Sequence, residues 1–417
     1  MTLIKTSILS LIATFFKMLS GLVINKAISV YIGPAGLAII GQFQSFSQVV
    51  LIAAQGAINS GVVKYTAEYG EKSHKLPILF STAGKISLAS SIIVGITLIS
   101  FSTIFSEKIL ANPQFKFIFI IFGLTIILFV LNGLLLSILN GLKEIRDYIK
   151  INITQSIYAL IFTSILVISF GLNGALIALT TNQSVILIIT LFLLRKHPLI
   201  KWKYFIGGFN KTIAKKLMAY SAMAITSAIM VPLSHLIIRN YLGSTVGWNQ
   251  AGYWQGIFYI SSTYLIVITT ALSTYYLPRL SEIDNNSELI REIKNGYKLI
   301  IPIAIGCALL IFSLRDQIIE LLFTNDFIEM RSLFLWQLIG DIFKIASWLL
   351  SYIMLAKAMT KIFIFTEIIF GILFLIASYY LVDKYGLIGM SYAYFMQYFM
   401  YFLCMVYIMY FYLRRNQ

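Results

Sequence analysis

The chain has 417 residues, of which 59% are hydrophobic and 12% charged, and its formal net charge is +16. Soluble domains carry roughly 25% charged residues, so a chain with half that share cannot coat a water-facing surface, and lipid must be its solvent. In a soluble protein the positive excess would suggest nucleic acid; here the cations fall in short segments between apolar stretches, which excludes that partner.

Taken in chain order, apolar stretches of about 20 residues lie at 7–31, 36–60, 78–104, 117–139, 149–170, 174–194, 217–238, 251–275, 299–313, 333–355, 362–382 and 387–412. The fold class that follows is all-α integral membrane, with about twelve transmembrane helices. The ninth stretch is short at its apolar centre.

A lone charge at mid-bilayer costs roughly 2.5–3.5 kcal/mol or more, so polar residues inside these stretches are informative. The first stretch carries Ser10, Thr14, Lys17 and Gly21 on one helical face. Lys26 lies nine residues beyond Lys17, about half a turn out of register, so the two share one chamber only if the helix bends. Lys17 interrupts the apolar run and no small-residue cleavage site follows, so this helix is expected to be a span rather than a signal peptide.

The second stretch presents Gln44, Gln48, Gln55 and Asn59 together, and the third holds Lys85. Lys26 and Lys85 lie within a few turns of helix ends, where snorkelling to the headgroups competes with a cavity role. The eighth stretch carries Gln255, Tyr259, Ser262, Thr269 and Ser273, and the tenth carries Gln337, Asp341, Lys344, Trp348 and Ser351. Asp341 and Lys344 are three apart and can pair on that face. Glu367, in the eleventh stretch, is a candidate for proton titration or for structural pairing. Polar faces from both halves suggest a hydrated chamber, with interhelical hydrogen bonding as the alternative for any single Ser, Thr, Asn or Gln.

With the N-terminus inside, twenty-two Lys and Arg fall in cytoplasmic segments and six on the opposite side: Lys108, Lys116, Arg239, Arg315, Arg331 and Lys384. The positive-inside rule therefore predicts that both termini are cytoplasmic. The remaining four, Lys17, Lys26, Lys85 and Lys344, lie within helices. Intramembrane lysines thus outnumber carboxylates, which favours an anionic substrate over a cationic one. Cys307 and Cys404 are far apart in apolar helices and read as small core residues, and His74, His197 and His235 are too scattered to predict a metal site.

The longest polar cytoplasmic stretch, Arg195 to Lys216, divides the chain near its centre. Across it Tyr31-Ile32-Gly33 recurs as Tyr241-Leu242-Gly243, Gly41-Gln42-Phe43-Gln44 as Gly252-Tyr253-Trp254-Gln255, and Gly171-Leu172-Asn173-Gly174-Ala175 as Gly386-Leu387-Ile388-Gly389-Met390. Offsets of 210, 211 and 215 point to duplication, although glycines at tight helix connections recur by convergence as well. The expected organisation is a six-helix lobe over 1–200, a linker over 201–216 and a second six-helix lobe over 217–417. Two halves of six spans are parallel repeats, which places the binding cavity between them.

Gly84-Lys85 is the only pair resembling the end of a phosphate-binding loop, and Leu79 and Ile86 break that pattern. No cytoplasmic segment is long enough for a nucleotide-binding domain. The longest outer loop, about Leu314 to Ser332, is too short for a catalytic domain, so its Asp316, Glu320, Asp326 and Glu329 read as a solvated surface. The chain is therefore expected not to be an enzyme, and no cofactor is implied.

Several runs resemble bacterial O-antigen flippases of the Wzx type, above all their enterobacterial common antigen branch. They are Tyr31-Ile32-Gly33-Pro34-Ala35-Gly36-Leu37, Gly61-Val62-Val63-Lys64-Tyr65-Thr66-Ala67-Glu68-Tyr69, Tyr276-Leu277-Pro278-Arg279-Leu280-Ser281, and Trp336-Gln337-Leu338-Ile339-Gly340-Asp341-Ile342-Phe343-Lys344 with Ala356-Lys357-Ala358. The resemblance covers nearly the whole chain and implies the multidrug/oligosaccharidyl-lipid/polysaccharide exporter superfamily, whose two six-helix lobes enclose a central cavity. It implies an undecaprenyl-pyrophosphate-linked oligosaccharide as substrate, an inner-membrane location, and contact with polysaccharide polymerase machinery. Lys17, Lys26 and Lys344 would then engage pyrophosphate, with Lys85, Gln44 and Gln255 as further cavity candidates. Asp341 and Glu367 are candidates for carrying a coupled proton or sodium ion. The competing reading is a cation-coupled exporter of small drugs on the same fold, which drug susceptibility would separate.

Overall fold

The computed structural model describes the backbone of residues 3–70, 73–195, 197, 200, 204–283 and 285–415. Side chains 3–11, 219–224, 227, 271, 274, 278 and 415 lie outside the described set, and with them Ser10 and part of the cytoplasmic basic tally (Lys5, Lys72, Lys196, Lys201, Lys203 and Arg415). Within it the chain is helical throughout: α1 (Leu3–Tyr31), α2 (Gly33–Ala54), α3 (Asn59–Tyr69), α4 (Lys75–Ser100), α5 (Ser102–Leu110), α6 (Lys116–Gly141), α7 (Ile145–Leu194), α8 (Lys211–Thr245), α9 (Trp248–Ala271), α10 (Leu277–Glu282), α11 (Asn286–Ser313), α12 (Arg315–Leu322), α13 (Phe334–Ala356), α14 (Thr360–Tyr385) and α15 (Ile388–Arg415).

Among the described residues nine helical segments are long and apolar enough to cross a bilayer. One of them, α7, has 50 residues and carries non-helical dihedrals at Gly171 (φ 55°, ψ −130°). Straight, it would run about 75 Å, more than twice the ~30 Å hydrocarbon core; the break at Gly171 turns it into the two expected spans. Helices α8 and α9, of 35 and 24 residues, have the length but are not among the nine.

Several boundaries differ from the hydropathy reading. The second stretch stops at Ala54, followed by a turn with Gly56 and Ala57 at positive φ, so Asn59 starts a separate helix and does not share one straight face with Gln44. The third breaks at Phe101. The ninth is a full 28-residue helix; its first half, with Glu288, Arg291, Glu292, Lys294 and Lys298, is too polar to register as a span.

Two compact units emerge, one of Met1–Ile32 with Ile40–Leu233, the other of Gly33–Ile39 with Ser234–Gln417. The division falls inside α8 next to Pro232, which cannot donate the helical hydrogen bond. The N-terminal part of α8 packs into the first unit: Leu217 joins Ile58, Val62, Leu79, Phe80, Leu134 and Ile138. The polar central segment is also tied down there. Ser81 Oγ donates to Gly207 O at 2.5 Å, Asn210 N donates to Thr82 Oγ1 at 3.1 Å, and Phe205 stacks on Phe80.

In the first unit α4 and α6 cross at glycines: a Cβ at Gly95 would lie 2.7 Å from Gly123 O, and the converse holds. Close backbone approach of this kind is how helices associate in lipid. Thr190 donates to Asn132 Oδ1 at 2.9 Å and Ser184 to Thr125 O at 3.0 Å, fastening α7 to α6. In the second unit α13 is the central helix, burying Phe334, Leu338, Ile345, Leu349, Ile353 and Met354 among α9, α11, α14 and α15. The loop before it is folded rather than loose. Phe323, Phe327 and Met330 are buried, while Asp316 pairs with Arg331 at 3.0 Å and Glu329 accepts from Gln250 at 3.0 Å.

Two turns recur 215 positions apart with the same backbone. Gly171 and Gly386 adopt φ 55°, ψ −130° and φ 61°, ψ −144°. Lys143 and Ala358 sit at φ 60° and 52°, each before a residue with matching dihedrals, Glu144 (φ −76°, ψ 57°) and Met359 (φ −77°, ψ 54°). The motif at 31–33 repeats less faithfully: Gly33 has φ 79°, whereas Gly243 is helical under the Trp248 ring and Gly247 takes the positive φ.

The turns explain a strict requirement for glycine. A Cβ at Gly389 would lie 2.1 Å from Leu381 O, and one at Gly174 would lie 1.9 Å from Leu166 O. Gly389→Val should therefore abolish most folded, monodisperse protein in detergent, whereas Gly306→Ala, in open space, should not. Equal yields from both would refute this packing.

Candidate functional site

Helix α13 places Gln337, Asp341, Lys344 and Trp348 along one face by its 3.6-residue repeat. Asp341 is fully buried, and a bare carboxylate there would be prohibitively costly. Two phenols offset that cost: Tyr394 of α15 donates to Oδ1 at 2.7 Å and Tyr264 of α9 to Oδ2 at 2.9 Å. Hydrogen bonds to a charged acceptor are roughly twice as strong as neutral ones.

Lys344 does not pair directly with Asp341. Its Nζ donates to Tyr394 Oη at 3.2 Å, and that same hydroxyl donates to Asp341. The direct pair expected from the three-residue spacing is thus replaced by a tyrosine bridge. Lys344 Nζ also lies 5.0 Å from the Trp348 ring and 5.1 Å from that of Tyr398, within cation–π range. Tyr394 meets the ammonium through its hydroxyl rather than its face. The half-buried cation is therefore held by neutral aromatic groups, with its counter-charge one hydroxyl away.

Tyr394, Tyr398 and Tyr401 recur at i, i+4 and i+7 on α15, and Tyr401 Oη lies 3.3 Å from Glu367 Oε1 of α14. Asp341 and Glu367 are thus each held by a tyrosine of the same helix. Gln337 donates to Ser261 Oγ at 3.3 Å, and Tyr297 to Ala346 O at 2.5 Å, fixing α9 and α11 against α13.

A second buried cation lies in the same unit. Arg239, counted from sequence as an outer-side residue, is 1% exposed inside α8, because that helix continues to Thr245. It donates to Gln255 Oε1 at 2.6 Å and lies 5.5 Å from the Trp254 ring. His235, one turn earlier, packs against Trp254 and Phe258. Gln255 is therefore engaged by a guanidinium.

The other sequence candidates belong to the first unit. Lys17 is exposed on α1 beside half-buried Thr14 and Gly21, and Lys26 is half-buried. Lys85 is exposed on α4 on the face of Ile78, Leu88, Ile92 and Ile96, an apolar setting. Gln44 is exposed on α2, whereas neighbouring Gln42 is fully buried. The structure brings Asp341, Lys344 and, through α15, Glu367 into one arrangement. Tyr264, Tyr394, Tyr398 and Arg239 were not anticipated. The tyrosine spacing on α15 was visible in the sequence, but partners on other helices were not.

The comparisons with known proteins agree with one another. The family model for polysaccharide biosynthesis proteins matches residues 3–284. The Lipid III flippase of Escherichia coli (strain K12) is 27% identical over 402 residues, covering 96% of this chain and 97% of its own. Among solved structures, an inward-facing multidrug resistance MATE family transporter of the MOP superfamily matches with a TM-score of 0.76 at 14% identity, covering 98% of this chain and 99% of that one. The lipid II flippase MurJ, in its inward closed conformation, matches at 0.72 and 16% identity, covering 97% and 87%. At these identities the structural matches show the fold alone, all-helical and end to end along the chain.

Proposed function

The chain belongs to the polysaccharide biosynthesis protein family, and from that premise we propose that it is a flippase for an undecaprenyl-pyrophosphate-linked oligosaccharide, moved from the cytoplasmic to the outer leaflet of a bacterial inner membrane. The observation that carries this reading is the end-to-end match to the Lipid III flippase. A relative aligned over only one lobe would support the fold without the cargo.

The hard step in flipping is the charged head, since a prenyl tail can stay in lipid. Lys344 supports the cationic-cavity part of the reading: its aromatic surroundings and hydroxyl bridge can be exchanged for phosphate oxygens without breaking a direct ion pair. Lys17, exposed on α1, is the first unit's counterpart. Alternating exposure of the chamber by two rocking lobes would deliver the head across the bilayer. Moving about two negative charges outward, down an inside-negative potential of ~100 mV, yields roughly 4–5 kcal/mol, so transport can proceed without a coupled ion. Asp341 and Glu367 are the groups that would carry a proton or sodium if it does not.

Expression in strains that each lack one known flippase tests the reading. Restored surface polysaccharide in one such strain, with its lipid-linked intermediate cleared, is the expected outcome. Failure in every strain at normal protein level, together with raised resistance to small cationic drugs, would establish the exporter reading instead.

A further inference from the structure

The histidines look scattered along the chain, yet the fold gathers one of them with two carboxylates. Glu144 precedes α7, Asp147 lies in its first turn, and His197 follows its last residue by three. Donor atoms of all three lie within 4.8 Å of one another, and His197 Nε2 is 3.9 Å from Glu144 Oε1. The imidazole is 7% exposed and Glu144 is 41% exposed, so the ring is buried while the carboxylate faces water. Leu139, Ile151 and Leu194 form an apolar floor, with Tyr148 and Ile200 packed against it. The two ends of α7 are therefore already juxtaposed before any ligand arrives.

From this geometry we infer a zinc-binding site at the membrane-surface end of the first unit, with His197 Nε2, Glu144 and Asp147 as ligands and water completing a tetrahedron. One imidazole and two carboxylates are ordinary zinc donors, with bonds near 2.0–2.2 Å. Donors in such a tetrahedron lie roughly 3.3 Å apart, so the present spacing closes by side-chain rotation alone. Lys150, which is 3.8 Å from Asp147 and 63% exposed, swings away into water when the metal enters. Bound zinc would staple the start of the α7 hairpin to its end, where the central polar segment begins. The site is particular to the first unit, because the position of Glu144 in the recurring turn is taken by Met359 in the second.

The test uses full-length protein in detergent, zinc chloride as the only probe, and competition with a chromophoric zinc chelator. One zinc per chain is expected, with a thermal midpoint that rises on zinc addition and returns with chelator. His197→Gln should weaken binding about 100-fold or more and Asp147→Asn about 10-fold or more, at least the loss seen when supporting groups around a metal are removed; His74→Gln should change nothing. Asp147 is 38% exposed, so that variant folds even if His197→Gln does not. Zinc affinity unchanged in Asp147→Asn, or no zinc bound by the unaltered protein, would overturn the site. Either result leaves the flippase reading standing, because it is scored by complementation.

Discussion

Lys344→Ala is expected to abolish complementation while leaving protein level and folding close to normal. Removing a cation usually strands its buried partner at a cost of several kcal/mol, which would make a loss of transport uninformative. Here Asp341 keeps hydroxyl bonds from Tyr264 and Tyr394 after the lysine is gone. The change therefore acts mainly on the group that would meet phosphate. Lipid-linked oligosaccharide should build up on the cytoplasmic leaflet, measured as radiolabelled intermediate protected from externally added modifying enzyme. Lys17→Ala should give the same phenotype, and Lys17→Arg a milder one, since a guanidinium retains the charge and forks onto phosphate. Normal surface polysaccharide in both alanine variants would end the cationic-cavity reading.

Most of the expected spans were legible in the sequence because lipid imposes one rule on every spanning residue: apolar outside, backbone paired within. The departures have local causes. The ninth helix is hidden by its own polar first half, and the second is cut short by the positive-φ turn at Gly56 and Ala57. Arg239 was assigned to a loop because a hydropathy window stopped at residue 238, while α8 runs on to Thr245. Spacing along one helix revealed the Asp341–Lys344 face but said nothing of Tyr394, which approaches from another helix and changes a pair into a bridge. Likewise Glu144 and His197 are separated by 52 intervening residues, and only the fold-back at Gly171 joins them. Periodicity reports which way a side chain faces, and packing decides what it meets.

A bridge makes a different thermodynamic prediction from a direct pair. Asp341→Asn keeps the side-chain shape but weakens two phenol bonds, and should lower stability by about 1–2 kcal/mol. Lys344→Ala should cost about 1 kcal/mol through lost aromatic contact. If Tyr394 transmits the interaction, the double variant should fall short of the sum by roughly 0.5–1.5 kcal/mol. The same cycle in a Tyr394→Phe background should then be additive, because the shared hydroxyl is gone while the ring remains. Thermal unfolding in detergent, scored as midpoint shifts across the eight proteins, measures all of this. Additivity in the unaltered background would mean that the carboxylate and the ammonium do not sense each other through the phenol. A coupling that survives Tyr394→Phe would mean that they interact through space, and the hydroxyl would then be only a local support for Asp341.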